Sequence, residues 1–143
     1  MTDLSARLRR IVDALPLTPG IRVLEIGGGP GAAARAVAER LTGGGTILMI
    51  DRSGTAIDLA RRGAAELIAA GTLQLRQVAA EDFTLEPGEE PFDLAFGIRV
   101  GALDGRHPQA GAVALQRLGA ALKPTGRLFI DGGNPLREIG LPR

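Results

Sequence analysis

Val23-Leu24-Glu25-Ile26-Gly27-Gly28-Gly29-Pro30-Gly31 sets a short apolar run directly against a run of glycines. Ile21 to Ile26 reads as a buried strand, since β-branched and apolar residues follow one another between turn signals. Gly27 to Gly31 ends it. Glycine is needed where the main chain turns sharply or where a ligand must approach it closely. Ala32 to Leu41 then reads as a helix that begins with small residues and offers free backbone N–H groups towards the glycines. Strand, glycine turn and helix in that order predict the opening unit of an α/β sheet.

The pattern repeats outward from there. Upstream, Leu4, Leu8, Ile11, Val12 and Leu15 recur at helical spacing among Arg7, Arg9, Arg10 and Asp13. This predicts an amphipathic helix over 3–15, capped by Thr2 or Asp3 and stopped by Pro16. Downstream, Thr46 to Ile50 is a second strand, too continuously apolar to keep one face in water. A helix over 54–70 follows, with Ile57, Ala60, Ala64, Leu67 and Ile68 on one stripe. Leu73 to Val78 is a third strand, Phe92 to Phe96 a fourth, 109–122 a helix, and Arg127 to Ile130 a fifth strand after the Pro124-Thr125-Gly126 turn. Residues 132–143 form a Gly/Pro-rich tail. Alternating strands and helices require parallel pairing with helices on both faces, connected right-handed. No repeat or linker divides the chain, so 1–143 reads as one domain with its core over 20–131.

Composition excludes several classes of function. The 143 residues carry 17 basic and 16 acidic side chains, a net charge of +1. That balance gives no electrostatic case for nucleic acid or for a membrane surface. Without cysteine there are no disulfides, thiolate metal sites or cysteine nucleophiles. His107 is the single histidine, so no metal site is expected. No apolar run approaches the ~20 residues that span a bilayer, and the first residues show no secretory pattern, so a cytoplasmic protein is the expectation. Ser5 and Ser53 lie in no nucleophile elbow, and no Lys-Ser/Thr follows the glycines, which excludes a serine hydrolase and a phosphate-loop NTPase.

Ligands of doubly wound sheets sit at the carboxyl ends of the strands. Three such ends carry distinctive chemistry here. The first ends in the glycine turn. The second ends in Asp51, a carboxylate able to accept from both hydroxyls of a ribose. The third leads into Glu81-Asp82, acceptors within reach of an adenine amino group, with Phe83 or Arg52 available to pack on the ring. Each has a plainer reading: a tight turn, a helix cap, a solvated acidic pair. Together, in order on neighbouring strand ends, they describe an adenosine pocket.

At these positions the chain resembles the class I S-adenosylmethionine-dependent methyltransferases. Val23 to Gly31 resembles their first motif, Asp51 the acid that ends their second strand, and Ala80-Glu81-Asp82-Phe83 their adenine-contacting segment. Phe92 to Phe96 and Leu122 to Leu128 resemble their fourth strand and the entry to their fifth. The resemblance implies a Rossmann-like, mostly parallel five-stranded sheet of order 3-2-1-4-5 that binds S-adenosylmethionine. It implies that Gly27, Gly28, Gly29 and Gly31 pass the backbone close to the methionine part, and that Glu25 orders this loop. It further implies that Asp51 binds the ribose hydroxyls, that Asp82 accepts from the adenine amino group, and that Gly97 and Ile98 lie near the sulfonium.

The chain departs from that family in two ways. Too few residues follow Ile130 for the usual final helix and reversed hairpin. The loop Gly97 to Leu103 also lacks the Asn/Asp-Pro-Pro-aromatic element of nitrogen methylators, which leaves a small-molecule acceptor as the expectation. If the acceptor must lose a proton, His107 is the one candidate base. Two other readings stay open. Gly27, Gly29 and Ala32 also satisfy G-x-G-x-x-A, the pattern of a nicotinamide-dependent oxidoreductase, and a shortened fold could bind the cofactor or a partner without catalysis. An apolar fifth strand at an open edge invites pairing. Either the tail covers it or two chains join there as a homodimer.

Overall fold

The computed structural model describes residues 4–142. Helix α1 covers Ala6–Ala14, and Ser5 caps it by accepting the Leu8 N–H at 3.2 Å. The expected caps, Thr2 and Asp3, lie outside the described residues. Then follow β1 (Arg22–Ile26), α2 (Ala32–Arg40), β2 (Thr46–Asp51), α3 (Gly54–Gly63), α4 (Ala65–Ala69), β3 (Leu73–Gln77), a 3-10 turn (Ala80–Asp82), β4 (Phe92–Gly97), α5 (Pro108–Ala121), β5 (Leu122–Asp131) and β6 (Leu136–Ile139).

The strands form one sheet of order β3-β2-β1-β4-β5-β6. The first five are parallel, as the continuous apolar strands require, and β6 runs antiparallel to β5. Alternation along each strand divides the core in two. Val23, Ile47, Met49, Leu94 and Phe129 face α1 to α4. Leu24, Leu48, Ile50, Leu128 and Ile130 face α5 and the 3-10 turn.

Two expectations need correction. The helix over 54–70 is two helices, because Ala64 leaves the helical region at φ −133° while Arg35 Nη1 binds the carbonyl of Gly63 at 3.1 Å. The Pro124-Thr125-Gly126 segment lies within β5, which bulges there: Phe92 pairs with Leu122 and Leu94 with Arg127. A proline fits such an irregularity because it has no N–H to offer the ladder. Of the two outcomes expected at the edge of the fifth strand, the tail covers it, as a sixth strand. Leu136 to Ile139 pairs with Leu128 to Asp131, so β5 is not an edge and is not open to a second chain.

Candidate functional site

The glycine turn is fixed onto the neighbouring strand. Gly27 and Gly28 both donate to the carbonyl of Ile50, at 2.8 and 3.3 Å. Gly27, Gly29 and Gly31 have φ of 65°, 58° and 91°, a left-handed region that side chains with a Cβ resist. Gly28 is excluded from bearing a side chain for another reason: a Cβ there would overlap the Met49 thioether. No atom lies within 4 Å of where a Cβ on Gly29 would stand, so the turn is open on that side.

Asp51 completes the turn. Its Oδ2 accepts the Gly29 N–H at 2.9 Å and its Oδ1 accepts the Ser53 N–H at 2.8 Å. Both oxygens keep a further lone pair. The carboxylate is therefore held in one orientation without being saturated. Ser53 in turn caps α3 through its own hydroxyl. Glu25 lies beneath, 2% exposed, with Oε1 buried and without a hydrogen-bond partner among the described residues. Burial, with the charge of Asp51 adding to it, pushes its carboxyl up to about 8. Glu25 is accordingly mostly a neutral acid at pH 7, able to donate as well as accept.

A cavity of about 490 Å³ opens above these groups. Gly27, Asp51 and Arg52 form one wall and Val78 to Glu81 the next. Arg99 to Ala102, His107 and Ala110 close it from the side of β4 and α5. Three adjacent strand ends thus share one space, as the sequence predicts. Val78 donates to the Asp51 carbonyl at 3.0 Å, which holds the third strand end beside the second.

Several expected residues stand elsewhere. Asp82 is exposed and outside the cavity wall; Glu81 is the acid that lines it. Phe83 is 1% exposed and packs on Phe92, with ring centroids 6.3 Å apart, and the Arg76 guanidinium lies over its ring, 5.7 Å from the centroid. It is a core residue and presents no face to a ligand. Gly97 is buried, its missing Cβ position pressed by Leu103 and Val100, and Ile98 packs towards α1 to α4. The loop reaches the cavity one residue later, at Arg99.

Arg99 was not expected. It is the one non-glycine residue with positive φ (57°) among the described residues. Its N–H donates to Asp131 Oδ1 at 3.0 Å, and its carbonyl accepts from Arg106 Nη2 at 3.0 Å. Asp131 Oδ2 accepts from Arg7 at 2.6 Å. Partial burial would raise the Asp131 carboxyl, but the Arg99 and Arg7 hydrogen bonds outweigh it and hold the group below its ordinary range. His107 precedes α5 and lays its ring against Gly101, where a Cβ would overlap it.

Residues 23–126 match the family model described as methyltransferase domain. The chain belongs to that family. Membership in the methyltransferase domain family sets aside the nicotinamide oxidoreductase alternative. The chain is 33% identical over 141 residues to nocamycin O-methyltransferase of Saccharothrix syringae, covering 93% of this chain and 46% of that protein. It is 37% identical over 126 residues to protein-L-isoaspartate O-methyltransferase of Methylorubrum extorquens, covering 87% and 47%. It also resembles the solved SAM-dependent methyltransferase of Thiobacillus denitrificans in complex with S-adenosyl-L-homocysteine. That likeness has a TM-score of 0.66 and 25% identity, and covers 87% of this chain and 46% of that one. The chain thus spans about half the length of the curated relatives it matches. No helix among the described residues is long and apolar enough to cross a membrane.

Proposed function

We propose that this domain binds S-adenosylmethionine in the cavity above the glycine turn and directs its methyl group to an oxygen of a small-molecule acceptor. The observation that carries the reading is the Asp51 carboxylate, bonded to Gly29 N–H and facing the same cavity as Gly27 and Glu81. The S-adenosylhomocysteine complex of the Thiobacillus denitrificans methyltransferase supports the cofactor. The names of both curated relatives specify oxygen as the methylated atom, which supports the acceptor chemistry.

The residues present fit the cofactor. Asp51 has lone pairs left for two ribose hydroxyls, the wall from Val78 to Glu81 suits the adenine, and the open side of Gly29 admits the amino-acid part. The bound cofactor supplies a methyl group on a sulfonium, already activated for in-line displacement. The chain's own task is then largely placement and exclusion of water. Val100 and Ala102 give the cavity an apolar side. His107 stands on the same wall, where an imidazole can take the proton of an acceptor hydroxyl.

Calorimetric titration with S-adenosylmethionine, S-adenosylhomocysteine and NAD tests this. Micromolar binding of the first two and no heat with NAD is expected, with Asp51→Ala weakening binding by roughly tenfold or more, as loss of hydrogen bonds to a charged acceptor does. Preference for NAD, or silence with all three, overturns it.

A further inference from the structure

A second cavity, of about 510 Å³, lies between α1 and the turn that follows β5. Arg7 and Arg10, one helical turn apart, line it from α1, and Gly132 to Pro135 close it. Ile11, 1% exposed, forms an apolar floor. Arg7 Nη2 holds Asp131 Oδ2 at 2.6 Å. Arg10 Nη2 donates to Asn134 Oδ1 at 3.2 Å and pairs with no carboxylate among the described residues. Asp131 balances Arg7, so among the described residues the Arg10 guanidinium is the cavity's unbalanced charge.

Its position is as informative as its charge. Asp131, at the carboxyl end of β5, accepts from Arg7 on this side and from the Arg99 N–H on the other, and Arg99 lines the cavity beside Asp51. Asp131 thus links one lining residue of each cavity.

We infer that the second cavity binds a small organic acid, held by its carboxylate at Arg10 and Arg7 with its apolar part on Ile11. A guanidinium offers a planar fork of N–H donors that matches a carboxylate, and Arg7 already presents one to Asp131. The apolar floor selects an acid with a hydrocarbon body over a bare inorganic anion. The carboxylate is the handle by which the molecule is held.

The test uses sodium benzoate and inorganic phosphate as probes, with the arginine Nε–Hε resonances as readout. Benzoate is expected to saturate at low-millimolar concentration, to move the Arg7 and Arg10 signals, and to bind more tightly than phosphate. Arg10→Gln is expected to weaken benzoate about tenfold, the loss of one charge-assisted pair. Arg10 makes a single side-chain hydrogen bond among the described residues, so the variant should stay folded, which circular dichroism checks. Benzoate without saturation, equal binding by Arg10→Gln, or tighter binding by phosphate each overturns the inference.

Discussion

Glu25 offers a quantitative test of how the glycine turn is built. Its carboxyl rises from 4.5 to about 8 on folding, chiefly through burial and then through the nearby charge of Asp51. The folded state thus binds this proton more tightly than the unfolded state. Between pH 4.5 and 8 the folded protein holds more protons, so stability falls as pH rises through that window and levels off above it. At about 1.4 kcal/mol per pH unit, the loss reaches roughly 3 kcal/mol at pH 7 and roughly 5 kcal/mol above pH 8. Glu25→Gln keeps the shape and polarity of the neutral acid and cannot ionise. Urea unfolding of both proteins from pH 4.5 to 9 should show a difference near zero at the acid end. The variant should gain steadily to several kcal/mol at the alkaline end. The comparison cancels every other titrating group, including the carboxylates paired with Arg76, Lys123 and Arg127. A flat difference across the window would mean that Glu25 ionises freely when folded, and the account of a dry carboxyl beneath the turn would be wrong.

Gly28→Ala places a methyl against the buried Met49 side chain and should cost about 1–3 kcal/mol, the usual penalty of overpacking, with cofactor affinity falling as the turn shifts; an unchanged urea midpoint would refute the tight approach. Asp131→Asn removes the negative charge between the cavities while its side-chain oxygen still accepts the Arg99 N–H. Benzoate should therefore bind the second cavity a few-fold more tightly, on the order of 1 kcal/mol for a partly exposed pair, and weaker binding would show that Asp131 does not offset Arg7.

Much of this was legible from residue pattern. Unbroken apolar strands at Val23 to Ile26 and Thr46 to Ile50 demand burial on both faces, and that demand alone implies parallel pairing. The glycine turn and Asp51 were legible because few physical needs produce alternate glycines followed by an acid at the next strand end. What escaped had weak local signals. Leu136 to Ile139 is four residues long with two charged residues in its centre, and becomes a strand only because β5 presents an unpaired edge. Ala64 interrupts an alanine-rich stripe that shows no break in its periodicity. Phe83 sits beside two acids in the chain, yet the turn of Ala80–Asp82 sends its side chain into the core. Arg99 joins the cavity wall through a left-handed turn that its sequence does not announce, and Val100, Gly101 and Ala102 beside it carry no chemical signature that a sequence could display.

The loop after β4 shows how the site is made ready before any ligand arrives. A non-glycine residue at φ 57° costs about 1 kcal/mol or slightly more, because its Cβ crowds the carbonyl that follows. Arg99 is held there by two side-chain partners from separate segments: Asp131 on its N–H and Arg106 on its carbonyl. Each such bond, with one charged partner, contributes about 1–3 kcal/mol and so offsets the strain. Arg106 is itself fixed by Asp104 at 2.9 Å, within the same loop. The wall from Arg99 to Ala102 is thus positioned by the protein, and a ligand entering beside Asp51 need not bear the cost of ordering it. The same hydrogen bond ties that wall to Asp131, and through Asp131 to Arg7.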